Sequence, residues 1–454
     1  MACKGFVVSG LSSGSGKTVI TLGLLNAFRK AGIAIAAAKS GPDYIDSAFL
    51  KAAAGKAAIN LDSHAMTPML IDSLLDRHIT RQHADTLIVE GVMGLFDGTH
   101  NGRGSTADLA CHLGLPVILV IDVRNTAQNA AALAAGLDHI LRQHAQQHTK
   151  QHTERTSNTH IAGLILNHVA SPRHHTLISE AMAHYGIPML GSIPTTADID
   201  VPSRHLGLVQ AADLAATGRL DSVIDAATKL VETHLDLNLI QDLAVPLDLQ
   251  TTAQTALAVP AQRIAIANDA AFGFSYSHII DEWAASGATI STFSPLNDEA
   301  PEIDDEFVYI PGGYPELHLP ILSTASNYMN GLKEMASRNI PIYGECGGYM
   351  VLGDAIIDAD GTRFAMPGLL GLETSFAKRK LHLGYRTLTA KHSGLWKNKL
   401  SSTLMAHEFH YTTAVKSTGD ALFDAKDAAG SDVGTMGLIK GSVMGSYAHI
   451  IAAI

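Results

Sequence analysis

The chain has 454 residues, a net charge of −11, and 17% charged against 46% hydrophobic residues. That balance excludes a disordered chain, argues against nucleic acid as a partner, and leaves room for two or three domains. Cys3, Cys111 and Cys346 are far apart and show no pairing pattern, no apolar run is long enough for a bilayer helix, and MACKGFVVSG lacks the features of a signal peptide, so a cytoplasmic enzyme free of membrane is expected.

Gly5–Ser9 reads as a strand and Thr18–Lys30 as a helix, with apolar residues near every third or fourth position. Ile33–Ala38, Thr86–Glu90, Pro116–Asp122 and Ile161–Asn167 are apolar on both faces, as buried parallel strands are. The alternation predicts an α/β parallel sheet with crossover helices. The segment 142–160 is polar and rich in His and Gln, and is read as a solvated insertion in a surface connection. A helix there would align His144, His148 and His152 as metal ligands. Residues 243–262, with two prolines and Thr/Gln/Ala filler, read as a linker between a domain at 1–242 and another at 263–454. Arg263–Asn268, Phe307–Ile310 and Ile340–Tyr343 read as buried strands of a second α/β domain.

The first strand runs into GLSSGSGKT, residues 10–18, and a helix follows. Gly10, Ser12, Gly14, Ser15 and Gly16 can turn backbone N–H groups toward the phosphates of ATP. Lys17 can reach the β- and γ-phosphates, and Thr18 can ligate Mg²⁺. The strict pattern has Gly where this chain has Leu11; Gly10 makes the loop one residue longer. Acids follow later strands: Asp43 and Asp46, then Glu90 and Asp97 in EGVMGLFDG, then Asp122. Asp46 and Glu90 are candidates for Mg²⁺, although an acid at a strand end also serves as a helix cap or turn former.

Near the other end, IPIYGECGGYM places Cys346 on a tight turn between a strand and a helix. That is a nucleophile elbow with Cys in place of Ser. The N–H groups of Gly347 and of the Gly312–Gly313 turn can form an oxyanion hole, with Gly313 the second donor. His449 is the candidate base. His407-Glu-Phe-His410 reads either as the lining of a substrate cleft or as a polar turn.

Taken together and in this order, GLSSGSGKT, GPDYID, EGVMGLFDG, PGGYPE, GECGGYM, HEFH and SYAH resemble the corrinoid a,c-diamide synthases of cobalamin biosynthesis. The resemblance implies an N-terminal P-loop domain like dethiobiotin synthetase and a C-terminal class I, triad-type glutamine amidotransferase domain. It implies Cys346 as nucleophile, His449 as its activator, and Asp43, Asp46, Glu90 and Asp97 as metal- or substrate-site residues. Asn167 matches a position that contacts adenine in related ATPases. The broader amidotransferase class has a Glu two residues after the His; here Ile450 and Ile451 follow His449, so the third triad member is absent or comes from elsewhere. Residues 374–386 look like the enzymes that act on cobalt-free hydrogenobyrinate, with cobyrinate as the alternative. Within them Lys378, Arg379, Lys380 and Arg386 form a basic cluster that suits a corrinoid polycarboxylate, or a solvated charge run. The implied partners are the corrinoid, glutamine and ATP, in a homodimer. The rivals are a partitioning-type switch ATPase and a His-based cobalt or corrinoid carrier.

Overall fold

The computed structural model describes residues 2–100, 102–152, 159–195, 214–215, 217–250 and 253–454. They form two compact units, Met1–Gln254 and Thr255–Ile454.

The first unit is built on β1 (Lys4–Gly10), β2 (Ile35–Ser40), β3 (Ala58–Leu61), β4 (Thr86–Glu90), β5 (Val117–Asp122), β6 (Ile161–Val169) and β7 (Met189–Pro194). They lie parallel in the order β3-β2-β4-β1-β5-β6-β7. The central strands are buried on both faces, which is why their sequences are apolar at every position rather than at alternate ones. β1 lies between β4 and β5, so the strand order reverses there, and a crevice opens beyond its carboxyl end. Helix α1 (Lys17–Lys30) starts in that crevice, behind Gly16 at φ +93°. β3 and β7 escape the sequence reading because AINL is only four residues long and MLGSIP contains Gly and Pro.

Two expectations change. Val245–Pro246 is a short strand, β8, antiparallel to β1 at Gly5 and Lys4, along the stretch that β5 leaves uncovered. This part of 243–262 therefore belongs to the first sheet. The helix Asn129–His152 runs through the first part of the His-rich segment. His144 meets Asp108 at 2.8 Å, so it is anchored rather than solvated. Residues 153–158 and the side chain of His152 lie outside the described residues, as does any three-histidine alignment.

The second unit holds a ten-stranded sheet. β9 (Arg263–Ala267), β10 (Thr289–Phe293), β11 (Phe307–Ile310), β12 (Ile342–Glu345) and Val443–Ser446 form its parallel part, in the order β10-β9-β11-β12-(443–446). Antiparallel strands continue it through 432–440, 420–426, 382–390, 403–410 and 448–453. β12 begins two residues later than the sequence suggests. Pro341 contributes a carbonyl to Val308 N–H, and pairing with Val443 starts at Ile342. A four-stranded sheet from 355–357, 363–365, 371–375 and 413–418 lies in the same unit.

Candidate active site

The phosphate loop closes on itself. Lys17 Nζ donates to Ser12 O at 2.9 Å, and Ser15 Oγ to the same carbonyl at 3.0 Å. A side chain at Gly10 would fall on Ser15 Oγ and on the Lys17 chain, so the extra residue in this loop must be Gly. Asn167, at the end of β6, donates from Nδ2 to Ser15 O at 3.0 Å. Beside it lies a cavity of about 160 Å³, lined by Gly16, Val19, Ile20, Asn167, His168 and Ile193 among others.

The candidate metal-site residues meet here. Thr18 Oγ1 donates to Glu90 Oε1 at 2.7 Å. Between Asp46 and Glu90 stands Lys39, which the motif reading passed over: its Nζ is 2.5 Å from Asp46 Oδ2 and 2.8 Å from Glu90 Oε1. Burial alone would lower the Lys39 pKa, but Glu90, Asp46 and Asp43 outweigh it and hold the ammonium charged. Burial also raises Glu90, and its Oε2 has no hydrogen-bond partner among the described residues. A hydroxyl and two carboxylates, one of them with an orphaned oxygen, form the hard-oxygen set that Mg²⁺ takes. A lysine at the end of β2, in a run of alanines with no surface to reach, was the signal for Lys39. Asp43 and Asp97 have local tasks. Asp43 caps α2 (Tyr44–Ala54) by accepting from Ile45 N and Asp46 N, and burial followed by Asp46 raises it to about 6. Asp97 Oδ2 accepts from Gly94 N at 2.8 Å and shapes the turn after β4.

In the second unit Cys346 has φ +47° and ψ −105°, a strained turn between β12 and the helix Gly347–Val351. Cys346 N–H donates to Ser446 O at 2.8 Å, and Sγ faces Phe409 O at 3.7 Å. The glycines bring the parts together. A methyl group at Gly347 would be 3.0 Å from Gly313 N, so the two expected oxyanion donors are neighbours. One at Gly312 would meet the His449 ring and lie 3.2 Å from Cys346 Cβ, so imidazole and thiol converge over that glycine. At Gly348 it would collide with Ile310 O. Gly348→Ala is therefore expected to destabilise this unit by about 1–3 kcal/mol by overpacking, read as a lowered urea midpoint.

His449 is fully buried and hydrogen-bonds the Phe274 backbone. Phe274 is itself tied to the glycine turn by its N–H to Gly312 O at 2.9 Å. Burial, then His407 and His410, push His449 down to about 3, so it is a neutral proton acceptor at pH 7. Burial, then Glu316, raises the Cys346 thiol. The acid nearest in role to a third triad member is Glu345. Its Oε2 is 3.7 Å from His449 Nδ1, beyond hydrogen-bond reach. Its oxygens instead accept from Tyr309 OH at 2.7 Å and Ile450 N at 3.1 Å. Burial raises Glu345 from 4.5 to about 8, which makes it a neutral acid at pH 7. A raised acid stabilises the fold fully below its unfolded pKa and loses that contribution as pH rises through the folded one. The stability of wild type relative to Glu345→Gln is thus expected to fall between pH 4.5 and about 8, measured by urea unfolding at each pH. A flat difference would contradict it.

Residues 6–209 match the CobQ/CobB/MinD/ParA nucleotide binding domain, and residues 263–453 match the CobB/CobQ-like glutamine amidotransferase domain. A protein of Brucella anthropi named hydrogenobyrinate a,c-diamide synthase is 45% identical over 99% of this chain and 98% of its own. Those of the same name from Rhizobium meliloti and Rhodobacter capsulatus are 43% and 42% identical, over 99% of both chains in each case. The chain belongs to the hydrogenobyrinate a,c-diamide synthase family. Its nucleotide-binding half carries the phosphate loop with ATP as co-substrate, and its amidotransferase half carries the Cys346 elbow. A switch ATPase would account for the first half alone.

The basic cluster divides in two in this family member. Lys378, Arg379 and Lys380 are exposed. Arg386 is not part of an open cationic surface: its Nη2 and Nε hold Glu408 Oε2 at 2.7 and 2.9 Å, and Nη1 donates to Tyr385 O. Glu408 Oε1 in turn lies 2.8 Å from His410 Nε2. The HEFH segment is thus the end of the strand Thr403–His410, not a turn, and its alternate residues Glu408 and His410 form a buried pair beside Phe409, whose carbonyl faces the cysteine. That arrangement depends on pairing with 382–390 and is invisible in the HEFH motif itself. No helix among the described residues is long and apolar enough to cross a membrane.

Proposed function

We propose that the chain converts the a and c carboxylates of hydrogenobyrinate to amides, with ATP and glutamine as co-substrates. One observation carries the reading: a chain alike over its whole length to hydrogenobyrinate a,c-diamide synthases keeps both the phosphate loop with its acids and the cysteine elbow with its histidine.

At the cysteine site, His449 takes the Cys346 proton as Sγ attacks the glutamine amide carbon. The N–H groups of Gly313 and Gly347 hold the oxyanion. The same proton leaves with the nitrogen as ammonia, and water then cleaves the thioester to glutamate. The strained turn keeps Sγ outside the helix, where an amide can reach it. At the phosphate loop, Lys17 and the loop N–H groups bind ATP, while Asn167 and the adjoining cavity take the base. The γ-phosphoryl passes to a substrate carboxylate oxygen, ADP leaves, ammonia attacks the acyl phosphate, and inorganic phosphate departs. Thr18, Asp46 and Glu90 would hold Mg²⁺, which would supply charge neutralisation on the phosphates. Lys39 holds those two acids together. Asp43 and Asp97 set the loops that face the substrate, and Lys378, Arg379 and Lys380 receive its carboxylates. The expected assembly is a homodimer in the cytoplasm, its size readable by sedimentation.

The purified protein given ATP, glutamine and hydrogenobyrinate is expected to form the diamide, read by mass spectrometry. Cobyrinate in parallel reads the alternative substrate. Glutamine hydrolysis with no amidation of either tetrapyrrole would sink the substrate assignment.

A further inference from the structure

The turn after β11 carries an acid that this chemistry leaves without a task. Glu316 lies in the short turn Pro315–Leu317, which Tyr314 joins to Gly312–Gly313. Pro315 Cδ is 2.8 Å from where a Gly347 side chain would begin, so this turn packs against the nucleophile turn. Glu316 is half-buried, and burial raises its carboxyl to about 7. The cation that acts on it is Arg379, from the exposed segment, through charge alone.

After burial, Glu316 is the largest influence keeping the Cys346 thiol protonated. In the free protein that is adverse: hydrolysis of glutamine needs a thiolate, and a second negative charge beside it opposes its formation. An acid that hinders the resting nucleophile makes chemical sense when the substrate cancels it. Glutamine brings a cation suited to this. Its α-nitrogen is four bonds from the amide carbon, about 5 Å away, so with the amide at Sγ the ammonium reaches the wall of the site. We propose that the Glu316 carboxylate receives the α-ammonium group of glutamine and selects for α-amino acid amides at the cysteine site. Glutamine then removes the opposing charge as it binds, and the thiol is kept quiet without it. This inference rests on the reading of Cys346 as the glutamine-hydrolysing nucleophile.

The test compares ammonia release from glutamine and from glutaramate, which has the same amide and carboxylate but no α-amino group. The wild-type chain is expected to prefer glutamine in kcat/KM on the order of 10²-fold. Glu316→Gln should lose most of that ratio, chiefly by raising KM for glutamine, and Glu316→Asp should keep part of it; thermal unfolding reports the fold of each variant. A wild-type ratio retained in Glu316→Gln would overturn the proposal, as would an equal loss on both substrates. Failure of the underlying reading looks different: the wild-type chain would then release no ammonia from glutamine at all.

Discussion

Cys346→Ala is expected to abolish glutamine-driven amidation, by at least about 10³-fold, and to leave synthesis from free ammonium salts intact. The size follows from the site having one thiol poised over Gly312 with His449 against it, and no other nucleophile on that turn. The sparing of ammonia-driven synthesis follows from the division of labour: activation of the carboxylate depends on the phosphate loop, not on the cysteine. Alanine adds no bulk at a position already at φ +47°, so the variant should fold. Product formation with glutamine, then with ammonium chloride at alkaline pH, reads both parts. Loss of both activities in a folded variant would contradict the two-site scheme.

Lys17→Ala gives the opposite pattern. Lys17 is the cation folded over the phosphate loop, and its pKa is lowered by burial and by Lys39 while its ammonium stays the donor to Ser12 O. Its removal takes away charge stabilisation of the transferring phosphoryl group, worth about 10²–10³ in rate. Amidation from glutamine and from ammonia should fall together, while glutamine hydrolysis without ATP persists. Measuring glutamate release and amide formation in the same sample separates the two. Amidation from ammonia at the wild-type rate would show that the loop does not carry the ATP chemistry.

The two variants test features that the sequence makes legible for one reason. The phosphate loop and the cysteine elbow are each a strand, a glycine turn and a helix within about a dozen residues, and the glycines are demanded by contacts a few residues away. Gly10 and Gly344 show this: a side chain at Gly10 would strike Ser15 and Lys17, and one at Gly344 would strike Gly348 and Leu352. The buried parallel strands were legible too, because a strand covered on both faces must be apolar throughout. Short or Gly- and Pro-bearing strands such as β3, β7 and β8 were not, since pairing partners rather than composition hold them in the sheet.

The chemical inventory is written locally along the chain: a phosphate loop, acids at strand ends, a thiol on a tight turn and a distant histidine. Which of these groups face one another is set by strand pairing across the sheets. Lys39 stands between Asp46 and Glu90 because β2 and β4 pair with Lys39 opposite Glu90. Arg386 is held by Glu408, and not left open to a polyanion, because the strand 382–390 sets Gly384 against Glu408. His449 leans on the Phe274 backbone and lies out of hydrogen-bond reach of Glu345, because the last strand pairs it with His407. Each of these follows from register between strands remote in sequence. A one-residue slip would turn every such side chain to the other face, so no local motif can encode the outcome.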